Sequence, residues 1–348
     1  MRRLAIVNLP FFGMFSRALE EAQRFFDQVE VLSIDPDAPP EKVAEVLGDT
    51  NLVIAASSPR YTREVFRSCP RLLAVVRWGV GYDNVDVEGA TEEGVIVSRV
   101  PGYVLRESVA VLAVALLLAC LRRVVYADRF VRSGMWPRKG GERELVGKDV
   151  RGLTIGLLGL GNIGSRVLEI LKAFNPSRIL VYDPYIPPHV IRAMGGEPVG
   201  SVEELLSRSD AVSIHVPLTS ETRHLVNKER LSRAKKGMVL VNTSRGGVVD
   251  TQALIRALEE GVVSCAALDV VEGEPIGGDH PLLKHPNVIV TPHIGSASVE
   301  SYRAMDEASL EEAVRIVRGE KPLWIVNPEV LSSPKLRVRL FTSPARSG

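Results

Sequence analysis

Three segments late in the chain each set a charged or polar side chain just past a short apolar run. VLVNTSRGGVVD carries Arg245, CAALDVVEGEP carries Asp269 and Glu274, and VIVTPHIGSAS carries His293. Taken singly, each has a bland use: an arginine caps surface carbonyls, a loop glutamate is solvated, and a lone histidine is structural. Together they are the set needed to reduce a carbonyl beside a carboxylate. A cation holds the carboxylate and polarises the carbonyl, an acid protonates the oxygen, and a neighbouring anion tunes that acid. Arg245, His293 and Glu274 supply one each. A carboxylate next to an imidazole favours the charged ring and keeps a proton available near neutrality.

Such a reduction needs a hydride carrier, and a site for one is legible upstream. Residues Leu153 to Gly164 read LTIGLLGLGNIG, an apolar strand running into Gly159, Gly161 and Gly164 with a helical pattern after them. In this G-x-G-x-x-G setting the first glycine allows the tight turn, the second lets backbone approach a pyrophosphate, and the third lets helix and strand pack closely. The phosphates then meet a helix N-terminus, whose N–H groups and dipole favour negative charge. The next apolar run, Arg178 to Tyr182, ends at Asp183, and 183 minus 164 places it 19 residues after the last glycine. An acid there accepts hydrogen bonds from the adenosine ribose and repels a 2′-phosphate. Pro184 rather than an arginine follows it, so NAD is expected over NADP.

The elements that position these groups read as α/β. Runs rich in Val, Ile and Leu recur at Leu4–Val7, Leu52–Ala55, Leu72–Val76 and Val95–Val97, separated by helical patterns. A second series spans Leu153–Leu158, Ile179–Tyr182, Ala211–Val216, Met238–Asn242, Ala266–Val270 and Val288–Val290. Runs without polar alternation are what parallel strands buried on both faces look like. The six later runs suffice for a doubly wound sheet, at whose carboxyl edge ligands bind. Arg132–Arg151, rich in Gly, Lys and Arg, reads as an exposed connection. The apolar helix around Val109–Leu121 precedes it and fits either half, and an amphipathic helix is expected over Ala297–Val317. The last residues, Leu331–Gly348, read as a poorly ordered tail.

Composition narrows the class. At 348 residues the chain is long enough for two domains. Its formal charge of +1, from 43 basic and 42 acidic residues, offers no one-signed field for nucleic acid or an anionic membrane. Val109–Leu121 is shorter than the roughly 18 apolar residues a membrane span needs. MRRLAIVNLPFFG reads as a first strand and not a signal peptide. Cys69, Cys120 and Cys265 are widely spaced, so neither a disulfide framework nor a metal site is expected, and a cytoplasmic location is.

GLGNIG with YDPY, HVPLTSETRHLVN, NTSRGGVVD, ALDVVEGEP and TPHIGSAS stand in an order and spacing that resemble the D-isomer-specific 2-hydroxyacid dehydrogenase family. That family includes phosphoglycerate dehydrogenases, glyoxylate and hydroxypyruvate reductases, D-lactate dehydrogenases, formate dehydrogenases and the C-terminal-binding corepressors. The likeness covers almost all of Leu4–Val330. It implies that Arg245 binds substrate and that Glu274 and His293 are the acid/base pair. It also implies that Asp269 contacts the nicotinamide amide and that Val216, Pro217 and Thr243 line the cofactor. Asn162, Ile163, Thr222, His293 and Gly295 are further cofactor contacts on the same ground. RWGVGYDNVD matches a loop whose Val80 and Gly81 amides hold the substrate carboxylate.

The resemblance further implies a Rossmann NAD domain, 101–295, inserted in a flavodoxin-like substrate domain of 1–100 plus 296–330, with 331–348 as the tail. A homodimer through the NAD domain is implied too. The implied reaction moves a hydride between NAD(H) and the 2-carbon of a small D-2-hydroxy or 2-oxo acid of the phosphoglycerate, glyoxylate or hydroxypyruvate type. The alternative is a corepressor-like protein that binds NAD(H) on the same fold. Formate dehydrogenases carry Gln where this chain has Glu274. Val109, Ala110, Val111 and Leu112 stand where the family often has Val-Ala-Glu-His, and Arg77 and Trp78 where small residues are common.

Overall fold

Apolar runs with no polar face form strands buried on both sides, and here they do so twice. The computed structural model describes residues 2–137 and 143–338. The chain divides into two units, one drawn from Met1–Leu105 and Ala297–Gly348, the other Arg106–Ser296.

The first unit holds a sheet of β1 (Arg3–Val7), β2 (Gln28–Leu32), β3 (Leu52–Ala55), β4 (Ala74–Arg77) and β5 (Ile96–Arg99), all parallel, in the order β2-β1-β3-β4-β5. This is the flavodoxin-like order, with its switch point between β1 and β3. β2, QVEVL, escapes a search for continuous apolar runs because it is an edge strand with an alternating, partly exposed pattern. The helix Val299–Val317 lays Leu310, Ala313, Val314 and Ile316 onto Leu4, Ile6, Ile54 and Ile96. Ser298 caps it by accepting the Ser301 N–H.

The expectation of a poorly ordered tail from Leu331 needs correction over its first part. Val330 and Val338 are buried, and Arg337 donates to the carbonyls of Phe66, Cys69, Leu72 and Glu93. Polar composition misleads there because a single arginine ties the segment to four backbone acceptors. Residues 339–348 lie outside the described residues, as do 138–142 of the expected connection.

The second unit is a sheet of β6 (Thr154–Leu158), β7 (Arg178–Tyr182), β8 (Glu197–Pro198), β9 (Ala211–Ile214), β10 (Met238–Asn242), β11 (Val263–Leu268) and β12 (Val288–Val290). Its order, β12-β11-β10-β9-β6-β7-β8, is all parallel and doubly wound from β6, with the two-residue β8 added to the six expected strands. The apolar helix Arg106–Leu121 belongs to this unit, packing on the helix Asn162–Lys172 and on β10 and β11. Among the described residues, no single helix is long and apolar enough to cross a membrane.

Cys120, in the last turn of the Arg106–Leu121 helix, forms a disulfide with Cys265 on β11, their Cα atoms 5.8 Å apart. This overturns the expectation of unpaired cysteines. The partners are 145 residues apart and meet only through helix-on-sheet packing, which spacing rules cannot see. Cys69 is buried and free.

Candidate active site

The switch point of the second sheet lies between β6 and β9, and the glycine turn sits there. Gly159 has φ +96°, and a Cβ on it would stand 2.9 Å from the His215 carbonyl oxygen just beyond β9. A Cβ on Gly164 would meet the Gly159 oxygen at 2.2 Å, so helix and turn are in backbone contact. A Cβ on Gly161 meets nothing within 4 Å. Gly161 is the N-cap of the helix Asn162–Lys172 and offers no side chain to its first N–H groups, which a helix leaves without internal partners. Asp183 Oδ2 accepts the Leu160 N–H at 2.8 Å and Oδ1 accepts the Tyr185 N–H at 2.9 Å, which fixes the acid beside the turn.

The rest of this edge is lined by the expected residues. Val216 and Pro217 follow β9, and Thr222 Oγ1 donates to the Pro217 carbonyl at 2.6 Å. Thr243 is buried after β10, with no hydrogen-bond partner for its Oγ1. A glycine cradle, a fixed acid, uncapped helix N–H groups and an orphaned hydroxyl fit a dinucleotide. Sequence reasoning passed over His215. Both its ring nitrogens are buried and unpartnered although part of the residue reaches the surface, and desolvation pushes its pKa down to about 3.

Arg245, Asp269, Glu274 and His293 all follow the carboxyl ends of β10, β11 and β12. Asn242, buried at the end of β10, shapes the first loop: Nδ2 donates to the Arg245 carbonyl at 2.9 Å and Oδ1 accepts from the Ser244 N–H and hydroxyl. Gly246 is required by its neighbour, because a Cβ there would lie 2.1 Å from the Val271 carbonyl carbon. Asp269 is 1% exposed and ties down the third loop. Its Oδ1 accepts from Thr291 Oγ1 and the Ile294 N–H, its Oδ2 from the Gly295 N–H, and its carbonyl from the His293 N–H. These bonds hold His293 at a left-handed φ of 55°.

His293 Nδ1 lies 2.6 Å from Glu274 Oε1, while Glu274 Oε2 accepts the Val271 N–H at 2.9 Å. Burial works against ionisation of Glu274. The His293 hydrogen bond, the Val271 amide and the charges of His293 and Arg245 outweigh it and hold the carboxyl below its usual range. An ionised carboxylate only accepts, so Nδ1 carries a proton and Nε2 is the atom left for a substrate. Arg245, Glu274 and His293 are thus one electrostatic cluster.

In the first unit, Gly79, Val80 and Gly81 follow β4. The Gly79 carbonyl accepts the Val100 N–H at 3.2 Å, the Val80 carbonyl accepts Arg99 Nη1 at 3.1 Å, and the Gly81 carbonyl accepts Arg77 Nε at 3.1 Å. In a trans peptide the N–H points opposite to its C=O, so the N–H groups of Val80, Gly81 and Tyr82 face away from these donors. Arg77, 5% exposed, also donates to the Ala55 and Ala56 carbonyls, so it props the loop from inside. Trp78 likewise turns inward, donating from Nε1 to Asp306 Oδ1 at 2.8 Å.

The model of the D-isomer-specific 2-hydroxyacid dehydrogenase NAD-binding domain matches residues 114–295. A glyoxylate reductase of Korarchaeum cryptofilum is 45% identical over 297 residues, 85% of this chain and 89% of that protein. The chain belongs to this family. The crystal structure of the TT0316 protein from Thermus thermophilus is similar with a TM-score of 0.83 and 37% identity, covering 94% of this chain and 100% of that one. The D-lactate dehydrogenase of Aquifex aeolicus, complexed with NAD and lactic acid, gives a TM-score of 0.80 at 28% identity, covering 93% and 99%. The dehydrogenase is NAD-linked and moves a hydride to or from a small 2-hydroxy or 2-oxo acid. None of these observations favours the corepressor-like alternative.

Proposed function

We propose that the dehydrogenase reduces glyoxylate, or a 2-oxo acid of similar size, with His293 as proton donor. The observation that carries this reading is the 2.6 Å pair of His293 Nδ1 and Glu274, with Arg245 acting on the same carboxylate. NADH, when bound, supplies the hydride. His293 gives the Nε2 proton to the carbonyl oxygen, and Glu274 keeps the ring oriented through Nδ1. Arg245 takes the substrate carboxylate and polarises the carbonyl, and the Val80 and Gly81 amides are carboxylate-binding groups of the first unit. In oxidation His293 takes the proton back.

Gly159, Gly161, Asn162, Ile163 and Gly164 hold the pyrophosphate, and Asp183 takes the ribose hydroxyls with its remaining lone pairs. Val216, Pro217, Thr222 and Thr243 line the cofactor. Asp269, His293 and Gly295 would hold the nicotinamide. The Arg106–Ser296 unit is thereby the cofactor domain, and the other the substrate domain.

Glyoxylate is chosen because the Korarchaeum cryptofilum relative carries that name. Its test is a panel of glyoxylate, hydroxypyruvate, 3-phosphohydroxypyruvate and pyruvate with NADH. Glyoxylate should give the highest kcat/KM, with kcat in the range of about 1–10³ s⁻¹. Tight NADH binding with no turnover on any member would contradict the reading and favour a binding protein.

The second unit exposes Val124, Val131, Met135 and Trp136, the last 79% accessible. We assign this apolar surface to a homodimer, to be checked by light scattering. We place the enzyme in the cytoplasm, where NAD(H) is drawn on. The Cys120–Cys265 bond weighs against this placement, since disulfides are rare in a reducing cytosol.

A further inference from the structure

The loop that carries Glu274 also carries the carboxylate of a second histidine–carboxylate pair, whose histidine lies on the segment after β9. His224 Nε2 lies 2.7 Å from Glu272 Oε1, and Glu272 stands two residues before Glu274. Like His293, His224 holds a left-handed backbone, φ 50°. A non-glycine residue keeps such a conformation only where its surroundings over-determine it.

The surroundings are three segments that meet. The His224 N–H donates to the Gly247 carbonyl at 2.8 Å and the Val226 N–H to the Val248 carbonyl at 3.0 Å, so this stretch runs beside the turn that follows Arg245. Gly246 in that turn abuts the next loop, where a Cβ would stand 2.4 Å from the Glu272 nitrogen. The His224 main chain thus grips the Arg245 turn, and its side chain grips the Glu274 loop.

We propose that His224 and Glu272 form a latch that keeps Arg245 in register with Glu274 and His293, which makes them positioning residues for the reduction. The inference rests on the roles proposed above for Arg245 and Glu274. The pair is half-exposed, with side-chain accessibilities of 41% and 34%, so it adds little to global stability. Its effect falls on catalysis, because reacting groups misplaced by a fraction of an ångström lose rate steeply.

The test uses the full chain with His224→Ala, His224→Gln, Glu272→Ala and the double alanine variant. His224→Ala should lower kcat/KM for the preferred 2-oxo acid by about tenfold while NADH affinity stays within about twofold. Gln retains an N–H donor at the Nε2 position and should restore most of the loss. The double variant should be no worse than either single one, since coupled residues are not additive. Hydrogen exchange reads the same latch without turnover. Peptides spanning 243–250 and 269–276 should exchange faster in His224→Ala, and those of the helix Asn162–Lys172 should not change. Failure of the wild type on every 2-oxo acid would remove the proposed function and leave the exchange test standing. The latch is overturned if His224→Ala matches the wild type in kcat/KM and in exchange, if exchange rises everywhere alike, or if Gln behaves as Ala.

Discussion

Two glycine-bearing loops serve the two units, and they are held in different ways. The turn after β6 is fixed by close backbone approach that glycine permits, Gly159 against the His215 carbonyl and Gly164 against Gly159, with the Leu160 N–H on Asp183. The loop after β4 is propped by side chains, with Arg77 and Arg99 taking the carbonyls of Gly81 and Val80. A loop of the first kind shows its constraint as glycines in its own sequence. A loop of the second kind is held by side chains whose role no glycine pattern reports, and a local pattern shows only that it is a turn.

The largest effects should come from the first loop. Gly164→Ala places a methyl against backbone at 2.2 Å, and we expect loss of NADH binding by at least about 100-fold together with a lowered Tm. Gly161→Ala meets no protein atom within 4 Å, so its Tm should match the wild type while NADH affinity falls, because the methyl occupies the pyrophosphate's approach. Titration of NADH by fluorescence beside a thermal melt separates the two. A Gly161→Ala protein with normal affinity would break the comparison at its cofactor end.

Side-chain props predict a different signature in the second loop. Arg99→Met should raise KM for the 2-oxo acid by about tenfold, since one oriented charge-assisted hydrogen bond is worth about 1.5 kcal/mol, and leave NADH affinity alone. Arg77→Met removes the side-chain donor of the Gly81 carbonyl and one of two donors to the Ala55 and Ala56 carbonyls, and should also destabilise the fold by about 2 kcal/mol in urea unfolding. Equal KM values and stabilities in both variants and the wild type would show that the arginines do not hold the loop.

The same distinction explains what could be read in advance. The doubly wound sheet was legible because six of its strands are mainly apolar runs without alternation, and the G-x-G-x-x-G turn because close backbone approach at Gly159 and Gly164 demands glycine in the turn itself. Arg245, Glu274 and His293 were legible as charges past buried strands. The edge strand β2, the Cys120–Cys265 bond, the buried ring of His215 and the roles of Arg77 and Asn242 were not. Each depends on a partner far along the chain or on burial that composition does not report.

Smaller effects sharpen the contrast within the second unit. If the β6 turn is held by its backbone contacts with His215 and Asp183, removing the Cys120–Cys265 cross-link should leave it intact. Cys265→Ala, or reduction, should lower stability by about 2–4 kcal/mol and leave NADH affinity unchanged. His215 makes the unit acid-sensitive. Its folded pKa lies near 3, below that of the unfolded chain, so its contribution is complete above about pH 6.5 and is lost as pH falls toward 3. The slope is at most about 1.4 kcal/mol per pH unit. Urea unfolding of His215→Asn between pH 7 and pH 4 should show a shallower loss than the wild type, and parallel curves would mean that the ring titrates normally.

The most direct test is kcat/KM for reduction against pH in the wild type, Glu274→Gln and His293→Ala. Glu274 is held below the usual carboxylate range and so is charged throughout neutral pH; Gln removes that charge from beside the imidazole. The alkaline limb of the profile should move to lower pH in Glu274→Gln, because the charged, proton-bearing ring loses its stabilising neighbour. His293→Ala should lose about 10²- to 10⁴-fold in kcat with NADH affinity little changed. An unshifted profile in Glu274→Gln, or a near-normal kcat in His293→Ala, would contradict the assignment of this pair as the acid–base centre.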